Sequence, residues 1–348
     1  MPNSPIETIT VGSTTYDITD SAARTQLSYL SNENLLDNWY FVGGGSQLGD
    51  GKFPINQKAV NLYKAEGNTI DRWVFSRKNA TDGNLAVAST NIGIGAPSTG
   101  YNILFQKIEE GTKLSLLGRV VTFSILVGNS LYSKSVTIPS ELPTTEPYFM
   151  EDIYTSTGRK IQINADANGI LYFGMVCFST GTGGYGNIKA VKLELGSVQT
   201  LAHQENGIWV VNSVPNYQTE LLKCQRYQLV FKTGNSTIKL VGSGYIQPLT
   251  DTKVGRIKVQ TPVEMRTIPT IKSFDEVTTT VTNYVSGACG LMTSSGTSSI
   301  TSFSSLWGTD IGGFYVTANI DSAASVTGYS YAVLRLEQNQ VIVVDANL

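Results

Sequence analysis

The chain is poor in charge. Asp, Glu, Lys and Arg make up 15% of its 348 residues, against 41% hydrophobic residues, so its surface must rely on Ser, Thr, Asn, Gln and Gly. The formal net charge is -2, and the basic residues are scattered. No Lys/Arg run is dense enough to neutralise successive phosphates, which argues against nucleic-acid binding. No apolar run reaches the length of a membrane-spanning helix, so no membrane insertion is expected. The opening MPNSPIETITVG has no basic stretch followed by an apolar core, and does not read as a signal peptide.

Histidine and cysteine are also scarce. There is one histidine, His203, and three cysteines, Cys177, Cys224 and Cys289, far apart and odd in number. An odd, dispersed set does not make a closed disulfide framework. Without a CxxC or a second histidine, a zinc site has no ligand set. A Ser-His-Asp arrangement is excluded in the same way, because no GxSxG elbow accompanies His203. No repeat of fixed period is present, so a solenoid or triple β-helix is not supported.

What is present is a long series of short strand-like runs, separated by Gly, Asn, Ser, Thr and Pro. Residues 1–31 form a separate segment: ETITV and TTYDIT around a Gly-Ser turn, then a short helix capped by Asp20. Ala23, Leu27 and Leu30 fall on one face of that helix. So narrow a stripe is marginal alone. It packs either on copies of itself, as an oligomer neck, or on its own hairpin. Residues 32–200 hold NWYFVG, IDRWVFS, LAVAS, NILFQKI, VVTFSILV, KSVTIP, KIQINA, ILYFGMVCF and IKAVKLEL. Strands at this spacing predict a jelly-roll β-sandwich. Residues 201–214 are a connector that places Trp209 at a domain junction. Residues 215–348 begin with a short helix opened by Pro215, and continue as a second, C-terminal β-sandwich. The fold class is therefore all-β.

Several phrases resemble one family. Asn34-Leu35-Leu36-Asp37-Asn38-Trp39-Tyr40-Phe41, Thr69-Ile70-Asp71-Arg72-Trp73 and Lys192-Leu193-Glu194-Leu195-Gly196 look like jelly-roll strands of bacteriophage and prophage tail fibre proteins, and of jelly-roll carbohydrate-binding modules. Glu220-Leu221-Leu222-Lys223-Cys224-Gln225-Arg226-Tyr227, then Pro262-Val263-Glu264-Met265-Arg266-Thr267-Ile268-Pro269-Thr270, look like the C-terminal domain of the same proteins. The end Asp345–Leu348 and the segment Gly12–Arg24 are similar to that family's terminus and attachment segment. The resemblance implies a virion appendage, usually a homotrimer. Its N-terminus would join other virion proteins, and its distal part would meet a host surface polysaccharide. It names no binding residues.

The residues themselves offer few sites. Glycan cleavage needs two carboxylates at a set separation. The acidic candidates Asp50, Glu109, Glu110, Glu151, Asp152, Asp275 and Glu276 read instead as turn or edge charges, so no catalytic residue and no enzyme is expected. Gly43–Gly45 and Gly181–Gly186 lack the Lys-Ser/Thr of a phosphate loop. No cofactor is expected, with a structural Ca2+ on Asp50, Asp71, Asp82 or Glu194 the one open alternative, although no DxDxDG loop is present. Trp39 and Trp73 read as core. Trp307 in SSLWGTD, Tyr101 in PSTGYN and Tyr185 in GGYG read as exposed rings able to stack on sugar. Cys224, Arg226 and Tyr227, with Leu27 and Leu30, read as structural or oligomer-interface residues. The expected function is non-enzymatic adhesion. The alternatives are a ligand-free baseplate, head-fibre or decoration protein, and a glycan depolymerase.

Overall fold

A computed structural model describes residues 8–11, 14–17, 32–42, 53–142, 149–152, 159–165, 171–179, 184–235, 238–248, 253–294, 296–310, 312–321 and 330–346. The protein is all-β: 53% strand and 6% helix, with two short helices among the described residues. The expected N-terminal helix, with Leu27 and Leu30, lies outside them. The two strands before it, Thr8–Val11 and Thr14–Asp17, pair antiparallel as a hairpin.

The middle of the chain is a sandwich of two six-stranded antiparallel sheets. One is centred on Val120–Val127 and Tyr185–Leu195, the other on Tyr101–Lys107 and Leu171–Phe178. The run Leu171–Phe178 is almost wholly apolar, and its first seven residues are all buried. Trp73, Phe41, Tyr63, Phe75, Phe123 and Phe173 fill the space between the sheets, each at most 1% exposed. Trp39 and Trp73 are core residues, and the Trp73 indole donates to the Asn38 carbonyl at 2.9 Å.

Two local readings of the sequence change. NWYFVG is not a regular strand. It runs beside Tyr185–Leu195 through single hydrogen bonds, such as Phe41 N–H to Lys189 O at 2.8 Å, and one isolated bridge from Tyr40 to Ala190. Asn38, at φ 50°, breaks the ladder there. EEGTKLSL, between two strands, forms helix α1 (Glu110–Leu116). The connector is a further hairpin, Ala202–Glu205 with Ile208–Val211, and Trp209 is only partly buried against the sandwich.

The C-terminal part differs from the expected plain sandwich. After helix α2 (Tyr217–Gln225), six strands close into a barrel: Lys239–Pro248, Lys253–Gln260, Gly313–Ile320, Gly296–Asp310, Cys289–Thr293 and Ser330–Leu336, in that order around it. Closure removes both free edges, and it needs tight corners where backbones nearly touch. Gly244 is such a place: a Cβ there would lie 1.8 Å from the Arg256 carbonyl oxygen.

Four more strands, Gln228–Lys232, Thr270–Asp275, Thr280–Asn283 and Val341–Asp345, make a separate sheet between barrel and sandwich. Its side chains alternate between two cores. Val230, Phe274, Val341 and Val343 join the sandwich core, whereas Leu229, Ile271, Ile342 and Val344 join the barrel core. That is why QVIVVD carries four apolar residues in succession: both faces of the strand are buried. Each such side chain contributes roughly 1.5–3 kcal/mol.

Gly244→Ala is expected to cost about 1–3 kcal/mol in thermal unfolding, because the added methyl must push two barrel strands apart. Gly186→Ala, where a Cβ meets nothing within 4 Å, should stay within about 0.5 kcal/mol of wild type. Equal melting of the two variants would contradict this account of the barrel corner.

Candidate functional site

Three recesses are candidates. The first lies where α2 meets the sandwich and encloses about 200 Å³ between Asp37, Arg72, Glu109, Lys223, Arg226 and Tyr227. Its charges answer one another. Arg72 Nε lies 2.9 Å from Asp37 Oδ2, and Lys223 Nζ lies 2.8 Å from Glu220 Oε1. The Tyr227 hydroxyl donates to Glu109, and Arg226 and Arg266 each approach the same carboxylate to 4.0 Å. The Arg72 guanidinium stacks on the Tyr227 ring, 3.4 Å from its centroid. A cleft neutralised from within offers an incoming ligand little net charge.

This places the CQRY element. Asn216 caps α2 by accepting from Thr219 N–H at 3.1 Å. Cys224 is fully buried against Phe53 and Ile55, and burial pushes its thiol well above the usual range. Arg226 is the C-cap, with its guanidinium half-exposed, and Tyr227 is 3% exposed. In this chain the element therefore joins α2 to the sandwich.

Beneath it lies a buried polar knot. Asp71, 2% exposed, accepts from Gln57 N–H at 3.1 Å and from the Gln228 amide. Gln57 in turn donates to the Gln228 carbonyl at 2.8 Å. Lys58, fully buried, donates to Thr69 O at 2.9 Å and sits 6.0 Å from the centre of the Phe274 ring. Burial raises the Asp71 pKa to about 6, against the pull of Lys58, Gln57 and Gln228. Burial lowers that of Lys58 to about 8, while Asp71 and Asp345 oppose the shift. Asp71 is one of the four carboxylates on which a structural Ca2+ stayed open as an alternative; both its oxygens accept from protein donors. The same holds for Asp82, bonded to Ser98, and Glu194, bonded to Thr200.

Among the described residues, the other acidic candidates have protein partners too. Glu110 pairs with Lys113 at 2.7 Å, and Glu276 pairs with Lys232. Asp275 accepts from the backbone N–H groups of Val277 and Thr278 at 2.8 and 3.2 Å. Asp50 and the side chains of Glu151 and Asp152 lie outside the described residues. His203 is held between Asn212 and Glu205. Burial opposes its charge, but those hydrogen bonds outweigh burial and raise its pKa. Among the described residues, no group of three His, Cys, Asp or Glu side chains could hold a metal.

The second recess, about 330 Å³, lies between the sandwich edge at Glu66–Asn68 and the strand Thr280–Asn283. Lys272 and Asp345, both in its wall, pair at 2.7 Å.

The third is different in kind. It is a shallow apolar depression of about 430 Å³ on the outside of the barrel, formed by Gly244, Tyr245, Ser330 and Tyr331. Tyr245 and Tyr331 stand directly opposite each other in the ladder, 40% and 69% exposed. Opposed strand residues hold their Cβ atoms about 5 Å apart, so two rings share one outward patch.

Of the three aromatic residues singled out from sequence, Tyr101 lies in the sandwich and not at that patch. Tyr101 opens the strand Tyr101–Lys107 rather than lying in a loop, and its ring tilts onto Phe178 with centroids 5.0 Å apart. Tyr185 is likewise the first residue of a strand, and Trp307 pairs with Tyr315 in the barrel ladder. The side chains of Tyr185 and Trp307 lie outside the described residues. Tyr245 and Tyr331 carry no local signal; only strand alternation plus the Tyr245–Tyr331 register would have found them. No protein-family model and no curated protein matches the chain.

A raised carboxyl pKa has a definite consequence. The folded chain holds the Asp71 proton where the unfolded chain has released it. This contribution to stability is full below about 4 and is lost as pH rises through about 6. Wild type should therefore lose stability relative to Asp71→Asn between pH 4 and pH 6, measured as a difference in melting temperature. Parallel pH profiles for the two proteins would refute the assignment.

Proposed function

We propose that this protein is a non-enzymatic adhesion protein of a virion appendage, binding a host surface glycan through the outer face of its C-terminal barrel. The observation that carries the reading is the Tyr245–Tyr331 pair over Gly244. Pyranose rings present flat CH faces, and exposed aromatic rings on a rigid strand scaffold are suited to stack on them. A shallow platform suits an extended polymer better than a small substrate, which would need an enclosing pocket. The partnered state of Glu109, Glu110, Asp275 and Glu276 favours adhesion over depolymerisation.

The resemblance of ELLKCQRY and PVEMRTIPT to tail fibre proteins supports the virion setting, and with it a homotrimer whose N-terminal segment joins other virion proteins. Three shallow sites on one particle-bound trimer gain by avidity what each lacks in affinity.

The test is a glycan array, followed by titration with purified cell-wall polysaccharide. Tyr245→Ala and Tyr331→Ala should each weaken binding about tenfold, or ~1.4 kcal/mol, with melting temperature unchanged because both rings are exposed. Full binding by the double variant would move the site elsewhere. An absence of any binding, with stable incorporation into particles, would favour a scaffold role.

A further inference from the structure

The barrel departs from the charge balance of the rest of the chain. Its six strands contain five basic residues, Lys239, Lys253, Arg256, Lys258 and Arg335, and one acidic residue, Asp310. The whole chain, by contrast, has a formal charge of -2. Three adjacent strands, Lys239–Pro248, Lys253–Gln260 and Gly313–Ile320, have no Asp or Glu at all. Arg335 pairs with Glu337 at 2.7 and 2.9 Å.

Register sets two of these cations beside the tyrosines. Ile257 and Val259 face the barrel core, so Arg256 and Lys258 stand on the outer face. Arg256 is opposite Tyr245, which is opposite Tyr331, so Tyr331, Tyr245 and Arg256 form one row across three strands. One pair further along, Lys258 is opposite Ser243 on one side and Tyr315 on the other, with Nζ 5.5 Å from the Tyr315 ring centre. Arg256 and Lys258 are two residues apart on one strand, about 7 Å, and project from the same face.

From this juxtaposition we infer that the polymer taken by the barrel is an acidic glycan, with carboxylate or phosphate groups along its chain. This inference rests on the adhesive reading above. Tyr245 and Tyr331 stack on sugar faces, and Arg256 and Lys258 receive the acidic substituents of the neighbouring units. The guanidinium offers a planar fork that fits a carboxylate or phosphate, and Lys258 supplies a point charge beside it. The row Tyr331, Tyr245 and Arg256 contains no carboxylate that would repel an acidic polymer.

The experiment uses the full chain and four immobilised probes: polygalacturonate, the same polymer with its carboxyls reduced to alcohols, poly(glycerol phosphate), and a single-stranded oligonucleotide. At low salt, one or both acidic glycopolymers should bind about tenfold more tightly than the reduced polymer, and the preference should collapse at high salt. The double variant Arg256→Gln/Lys258→Gln should lose this preference and keep wild-type binding to the reduced polymer. Tyr245→Ala/Tyr331→Ala should lose both. Equal binding of acidic and reduced polymers, unchanged in the Gln variant, would overturn the acidic-glycan inference and leave the tyrosine platform standing. Binding to none of the polymers would remove the platform as well. Tighter binding to the oligonucleotide than to either acidic glycopolymer would overturn the inference in favour of a nucleic-acid surface. Melting temperatures equal to wild type check that the variants are folded.

Discussion

The structure depends on one sheet being buried on both sides. Gln228–Lys232, Thr270–Asp275 and Val341–Asp345 send alternate side chains into the sandwich and into the barrel. Strand period two makes this automatic once the register is set, and a slip of one residue would exchange the two sets. Neither core can then be completed without the other. The central strand of this wall comes from residues near the end of the sequence, Val341–Asp345, and it pairs on one side with residues 228–232. The sandwich is closed against a surface built by the last described strand.

The polar knot on the sandwich side of that wall gives the contact its specificity. The Gln57 side chain donates to the Gln228 carbonyl and accepts from Val230 N–H, and Asp71 accepts from both the Gln57 backbone and the Gln228 side chain. A buried, nearly complete hydrogen-bond network adds little net stability over apolar packing, but it penalises every other alignment of the two halves. The raised Asp71 pKa and lowered Lys58 pKa are the mark of that cost. Helix α2 adds a second tie. Glu220 accepts from Asn38 N–H at 2.8 Å, at the residue whose positive φ turns the chain away from a strand.

What the sequence revealed follows from how local each signal is. Strand existence was legible, because alternation and Gly/Asn punctuation are written within a few residues. So was the buried character of Trp39 and Trp73. NWYFVG misled because apolar residues line a core from an irregular segment as readily as from a strand, and nothing in NWYF marks Asn38 as left-handed. EEGTKLSL was missed as a helix because about two turns carry too little periodicity. Barrel closure was invisible, since it rests on which strand meets which, and on Gly244 fitting where no Cβ would. For the same reason Tyr101 and Tyr185, whose surroundings read as loops, drew attention while Tyr245 and Tyr331 did not.

The two levels are connected through the barrel. A stacking platform works only if its rings are fixed before the ligand arrives, since ordering them on binding would consume the small gain each stack provides. The Tyr245 strand is clamped on both sides, by ladders to Lys253–Gln260 and to Ser330–Leu336. Its inward neighbour Ile246 is fully buried, as is Ala332 beside Tyr331. Those residues in turn belong to the core that the shared sheet closes from below with Ile342 and Val344. The rigidity of an outward patch thus traces back to the same double-faced wall that joins the halves. On this view the polar knot has no direct part in recognition. Its role is to hold the wall in register, so that the barrel above it presents one surface and not several.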